Sequence, residues 1–180
     1  VKKDTVAGQV GKELRRQGIW SIVFALVGIV IYITLRFEFG FAMGAIVALV
    51  HDVLFTVGIY CLLGRKLSLP IVAALLTIVG YSVNDTIVVF DRIREDLRLV
   101  KNQSFRDICN LSINQTLSRT LLTSFTTLVV VVILYIGGGQ GIHAFAFSLV
   151  VGVIVGTYSS VFIASPVLLW MSRPPRRRTS

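Results

Sequence analysis

Three charged side chains, Asp52, Asp85 and Arg119, lie inside long apolar runs of the chain. A charge at bilayer depth is expensive. It faces a bundle interior, takes a partner, and marks an ion or proton path. Asp85 (in LTIVGYSVNDTIVVF) is a titratable acid, whereas Arg119 (in LSINQTLSRTLLTS) keeps its charge at every accessible pH. Movement of one past the other would change the proton affinity of Asp85, which is what a proton-coupled machine requires. One charge crossing 100 mV supplies about 2.3 kcal/mol for such work. The competing reading is a static bridge that only locks two helices together. Polar neighbours favour the first reading. Thr77, Tyr81, Asn84 and Thr86 accompany Asp85, and Asn114, Gln115, Ser118, Thr123 and Thr127 accompany Arg119. Two such stripes facing one another would form a seam that admits water. Asp52 directly follows His51, and neighbouring residues of a helix point about 100° apart. A proton relay and a packed Asp–Ser or Asp–Tyr hydrogen bond both stay open there.

Other chemistries find no support. The two histidines, His51 and His143, are far apart, as are Cys61 and Cys109, so no metal-ligand spacing exists. His143 reads as a plain interface residue. No glycine-rich phosphate loop and no Ser–His–Asp set is readable. We therefore expect no metal, no cofactor and no enzymatic activity.

The elements that must position these residues follow from hydropathy. Of the 180 residues 54% are apolar and only 15% charged, against roughly 25% charged in soluble domains. That excludes a disordered chain and argues against a soluble globule. The apolar residues fall into blocks at 19–35, 39–63, 67–90, 111–136 and 142–171. Apart from the three charges above, the 18 Lys and Arg and nine Asp and Glu lie between or beyond the blocks. Hydrocarbon offers the backbone no partners, so each block is a helix or a barrel strand. Runs this long without alternation are helices. The predicted fold is all-α: a polytopic bundle of five transmembrane helices plus a short amphipathic cytoplasmic segment. Asp85 lies about 27 Å along its helix from Leu67 and about 7.5 Å from Phe90. Arg119 enters its antiparallel neighbour at matching depth. Gly40, Gly44, Ala48 and Asp52 recur every four residues, as do Gly152, Gly156, Ser160 and Ala164. Small residues at this spacing let helices approach closely, which places Asp52 on a packed face. Pro166 is expected to kink the last helix.

The connections give the topology. Residues 1–18 form a polar, helical N-terminal segment, expected on the outer face and preceded by further chain. The bundle spans 19–171. Residues 91–110 form the long loop, and 172–180 a basic tail. In RIREDLRLVKN, Ile93, Leu97 and Val100 make an apolar stripe. Both an interfacial helix and a solvated extension of the third helix fit it. Alternation puts ten Lys and Arg on the face holding that loop and the tail, against seven opposite, five of them in the N-terminal segment. A translocated N-terminal part counts for little, so the richer face is cytoplasmic. The net charge of +9 suits anionic lipid headgroups better than nucleic acid.

Four stretches together resemble the SecF side of the SecD/SecF family of protein-export membrane proteins. They are RFEFGFAMGAIVALVHD, LTIVGYSVNDTIVVFDRIRE, LSINQTLSRTLLTS and GVIVGTYSSVFIASP, and the resemblance runs from about Gly18 to Pro166. It implies the last five of six helices of one half of a resistance-nodulation-division-type bundle, in the bacterial inner membrane. The first helix and a periplasmic domain would precede them. It implies SecD as partner, the SecY-E-G translocon nearby, and transient contact with exported preproteins, mainly through that periplasmic domain. The proton-motive force would drive a late step of export. It assigns the Asp of GYSxND, here Asp85, and the Arg of QTLxRT, here Arg119, to the proton pathway, with a further aspartate in SecD. Asp52, Asn84, Thr86, Tyr81 and Gln115 are candidate supporting residues. The alternatives are half of a proton-driven small-molecule or lipid exporter, and a passive membrane subunit in which the Asp85–Arg119 pair is only a staple.

Overall fold

The structure, a computed structural model, describes the backbone over residues 2–64, 68–100 and 103–171, and side chains at residue 13 and from residue 16 onward. Arg65, Lys66, Lys101 and the basic residues after Met171 lie outside the described residues, as do most charged side chains of the N-terminal segment. The described residues form six α-helices: α1 (Lys2–Arg36), α2 (Phe39–Leu62), α3 (Leu69–Leu99), α4 (Phe105–Gly137), α5 (Gly139–Phe162) and α6 (Ala164–Met171). Five segments are long and apolar enough to cross a membrane, the last being α5 and α6 taken together.

The apolar blocks locate the helices, but the ends need correction. The polar N-terminal segment and the first apolar block are one continuous helix, α1. The third helix does not stop at Phe90. It runs to Leu99, and Ile93 on this extension is fully buried. An apolar run marks where hydrocarbon ends, not where backbone hydrogen bonds must end, and Arg, Glu and Leu sustain a helix well. The fourth helix starts at Phe105 and not at residue 111. Ser104 caps it by accepting a hydrogen bond from the Asp107 N–H at 3.2 Å. The expected 20-residue loop thereby loses residues 91–99 to α3 and 105–110 to α4. The last block is broken at Ile163, between α5 and α6. Pro166 explains the place: its ring crowds the carbonyl four residues earlier, which belongs to Phe162. At the other end α4 and α5 are joined through Gly138 alone, and Gly139 has a φ of +70° that favours glycine.

Helix α5 is the hub and packs against α2, α3 and α4, while α6 returns onto α2. Two glycines let α5 approach α3. A Cβ at Gly152 would fall 2.2 Å from the Ile78 side chain, and one at Gly156 would fall 3.2 Å from Ser82 Cβ. Gly44 does the same for α2, where a Cβ would meet the Ala164 carbonyl at 2.7 Å. One apolar cluster gathers Phe37, Phe41 and Phe90 with Leu168 of α6. A second gathers Tyr60, Ile71, Ile78 and Leu149 near the opposite end. Between them lies the polar layer that holds the candidate site.

Candidate functional site

The packed stripe of α2 carries Asp52 into the middle of the bundle, where it is fully buried. Both carboxylate oxygens are engaged. Ser82 Oγ on α3 donates to Oδ2 at 2.5 Å, and Ser159 Oγ on α5 donates to the same oxygen at 2.8 Å. His51 Nδ1 lies 3.1 Å from Oδ1. Of the two readings open from sequence, the packed Asp–Ser contact is present, and one carboxylate ties three helices.

Asp85 is placed differently. It is 3% exposed, and its Oδ2 is buried without a hydrogen-bond partner among the described residues. Arg119 acts on it electrostatically but forms no ion pair with it among the described residues. Arg119 is exposed on α4, as are Asn114 and Ser118. The polar stripes therefore face one another only in part. Asn84 is exposed, and Thr86 is buried. The Thr77, Thr123 and Thr127 hydroxyls return to carbonyls of their own helices. Tyr81 does cross: its hydroxyl donates to Ser124 Oγ on α4 at 2.9 Å. Thr157 of α5 reaches the same Ser124 at 2.7 Å.

A second crossing joins α3 and α4 nearer the α3–α4 connection. Arg92 Nε donates to Gln115 Oε1, and its guanidinium lies 3.3 Å from Asp96. Asp96 is 2% exposed and accepts from Ser112 Oγ at 2.7 Å. Sequence reasoning selected Gln115 but missed Arg92 and Asp96, which sit among charges beyond the apolar block, and Ser112, a lone serine at the start of the next one. The spacing of Asp85, Val89, Arg92 and Asp96 by four, three and four was the available signal, since those intervals share a helix face.

The two crossings are rungs of an antiparallel ladder. Asp85 lies four residues past Tyr81 on α3, and Thr120 four residues before Ser124 on α4. Thr120 is 2% exposed, and its Oγ1 also lacks a hydrogen-bond partner among the described residues. The chain thus buries a carboxylate oxygen on α3 and a hydroxyl on α4 without a partner among the described residues. A cation stands beside them on the outer face.

Comparison with known proteins decides the family. Residues 1–174 match the family described as protein export membrane protein SecD/SecF, C-terminal. The chain belongs to the SecD/SecF C-terminal family. It is 55% identical over 170 residues to protein translocase subunit SecF of Desulfurispirillum indicum, covering 93% of this chain and 54% of that one. It is 51% identical over 175 residues to the SecF of Rhodothermus marinus, covering 94% and 57%. The chain thus spans about half the length of the curated relatives it matches. Its fold is similar to the crystal structure of SecDF, a translocon-associated membrane protein from Thermus thermophilus. The TM-score is 0.87 at 45% identity, over 92% of this chain and 23% of that one. With SecD/SecF family membership and five apolar spans, this is a multi-pass membrane protein.

Proposed function

We propose that this chain is the SecF-type transmembrane half of a complex with SecD in the bacterial inner membrane. That complex couples the proton-motive force to late-stage protein export beside the SecY-E-G translocon. Exported preproteins are its transient cargo and anionic lipid its surroundings. The membrane face carrying the α3–α4 connection and the C-terminus is cytoplasmic, a reading that rests on the arginine-rich charge pattern. Asp85 and Arg119 are the proton-pathway residues, with Tyr81, Asn84, Thr86 and Gln115 around them.

The observation that carries this reading is the pairing of a buried, unpartnered Asp85 oxygen with an exposed Arg119 inside apolar spans. A buried carboxylate with a free oxygen is costly in a protein that only has to stand still. Such a group persists where protons are exchanged. An exposed arginine at that depth calls for a polar partner on another chain, and the SecD aspartate implied by the resemblance supplies one. The test is export of a secreted reporter under a proton-motive force. Asp85→Asn and Arg119→Ala should each stop proton-driven export while the complex with SecD still assembles. Normal export by both variants would remove the proposal.

A further inference from the structure

Where α1 ends against the extension of α3, three arginines line one pocket of about 330 Å³. Arg36 closes α1, and Arg94 and Arg98 stand four apart on one face of α3. Two of the guanidiniums are held in place. The Cζ atoms of Arg36 and Arg94 lie 5.4 and 5.3 Å from the centre of the Phe37 ring. That ring is buried and packs on Phe41 and Phe90, so it is a fixed platform for cations. The pocket's own acids leave this charge uncovered. Asp91 lies 3.8 Å from Arg36 and 3.8 Å from Arg94, too far for a hydrogen bond to either. Glu95 is bonded at 2.7 Å to Arg92, which does not line the pocket. Arg98 has no partner among the described residues. The helix dipole favours a cation at each helix end, but not three at one cavity. Like charges gathered there repel one another unless an anion joins them.

The anion is identified by shape and place. A guanidinium presents its N–H donors in a planar fork that matches the oxygens of a phosphate. The pocket lies at the end where the spans Arg16–Arg36 and Leu69–Leu99 stop, so both helices lead from it into hydrocarbon. Tyr32, one turn before Arg36, is exposed, and Ile87, one turn before Asp91, is half-buried. An anion with an apolar tail fits the cationic pocket and these surfaces together, and basic pockets between transmembrane helices hold lipid headgroups in this way. A choline head would bring a further cation to a pocket that already has three. We propose that Arg36, Arg94 and Arg98 bind the phosphate of an anionic phospholipid whose acyl chains run along Tyr32 and Ile87. The lipid ties the end of α1 to α3. The proposal goes beyond the proton-coupled reading and makes no use of Asp85. It takes from that reading only the leaflet, which is the cytoplasmic one.

The test uses the complex with SecD in neutral detergent and a phosphatidylglycerol that carries a diazirine next to its glycerol. Light should crosslink it to the peptides holding Tyr32 and Leu99, and unlabelled phosphatidylglycerol should compete. Phosphatidylcholine and inorganic phosphate at the same concentration should not. Arg98→Gln should weaken binding by about tenfold, the loss of one charge-assisted contact. Arg98 is exposed, so this variant keeps the fold. Arg98→Lys should recover only part of the loss, because an ammonium lacks the fork. Arg106→Gln removes the same charge at the same end of the bundle but outside the pocket, and should change binding far less. Equal weakening by Arg98→Gln and Arg106→Gln would overturn the proposal in favour of diffuse surface charge. Competition by phosphatidylcholine or by inorganic phosphate as strong as that by phosphatidylglycerol would overturn the anionic-lipid assignment. Crosslinks that avoid α1 and α3 would overturn the site. Normal export by Asp85→Asn would remove the proton-coupled reading and leave this one standing.

Discussion

Asp52 and Asp85 are both aspartates, both closed off from the surroundings, and both inside apolar helices, yet the bundle treats them in opposite ways. Asp52 receives hydroxyl donors from two other helices and has its own histidine alongside. Asp85 keeps an oxygen without a partner among the described residues. A saturated carboxylate is held in place by the bonds its acceptors make. An unsatisfied one can take a proton without breaking any bond. The same side chain is therefore a clamp at one position and an exchangeable group at the other. The difference is set by the hydroxyls that neighbouring helices present, not by depth.

Removal of each acid should separate the two roles most sharply. Asp52→Leu leaves the Ser82 hydroxyl without its acceptor, while Ser159 can still use the Gly156 carbonyl. Loss of the clamp should lower stability by about 2–3 kcal/mol. Asp85→Leu removes a buried atom that has no partner among the described residues, so stability should hold or rise by up to about 1 kcal/mol while transport is lost. Thermal unfolding of the purified complex reads both. Equal destabilisation by the two variants would erase the distinction.

A smaller effect should come from the helix contact that lets the clamp close. Gly156 is where α5 lies over Ser82, and a valine there has to push the two helices apart. Gly156→Val should cost about 1–2 kcal/mol by overpacking. It should also separate Ser159 from Asp52, so its cost and that of Asp52→Leu should sum to less than additive in the double variant. Strict additivity would mean that the glycine serves packing and not the clamp.

What could be read from sequence follows the same division. Asp52, Asp85 and Arg119 were legible because a lone charge stands out in an apolar run. The packed face of α2 was legible because Gly44 and Ala48 repeat with Asp52 at one helical spacing. The donors that distinguish the acids were not legible. Ser82 and Ser159 lie 30 and 107 positions from Asp52, and serine is common in membrane helices for packing alone. Thr120 was passed over for the same reason. The extension of α3 past Phe90 was one of the two readings open for RIREDLRLVKN, and a kink at Pro166 was expected, but the helix ends shift because hydropathy reports the slab and not the backbone. The expected seam was only half right. Asn84, Asn114 and Ser118 share helices with Asp85 and Arg119 but stand on exposed faces.

The smallest expected effect comes from the ladder that joins α3 to α4. Arg92 bonds Gln115, Glu95 and Asp96, but its side chain is 33% exposed, so each of its contacts competes with the surroundings. Arg92→Gln leaves Asp96 its buried Ser112 donor and should change stability by less than about 1 kcal/mol. Its consequence should lie elsewhere. With one rung weakened, the spacing of α3 and α4 around Asp85 becomes less defined, and distances between spin labels on Leu99 and Phe105 should broaden in the reconstituted complex. Proton-driven export should fall, but less than in Asp85→Asn. A loss of stability exceeding that of Asp52→Leu would reverse the assignment, making the end of the ladder the clamp and leaving the three-helix node as a candidate for exchange.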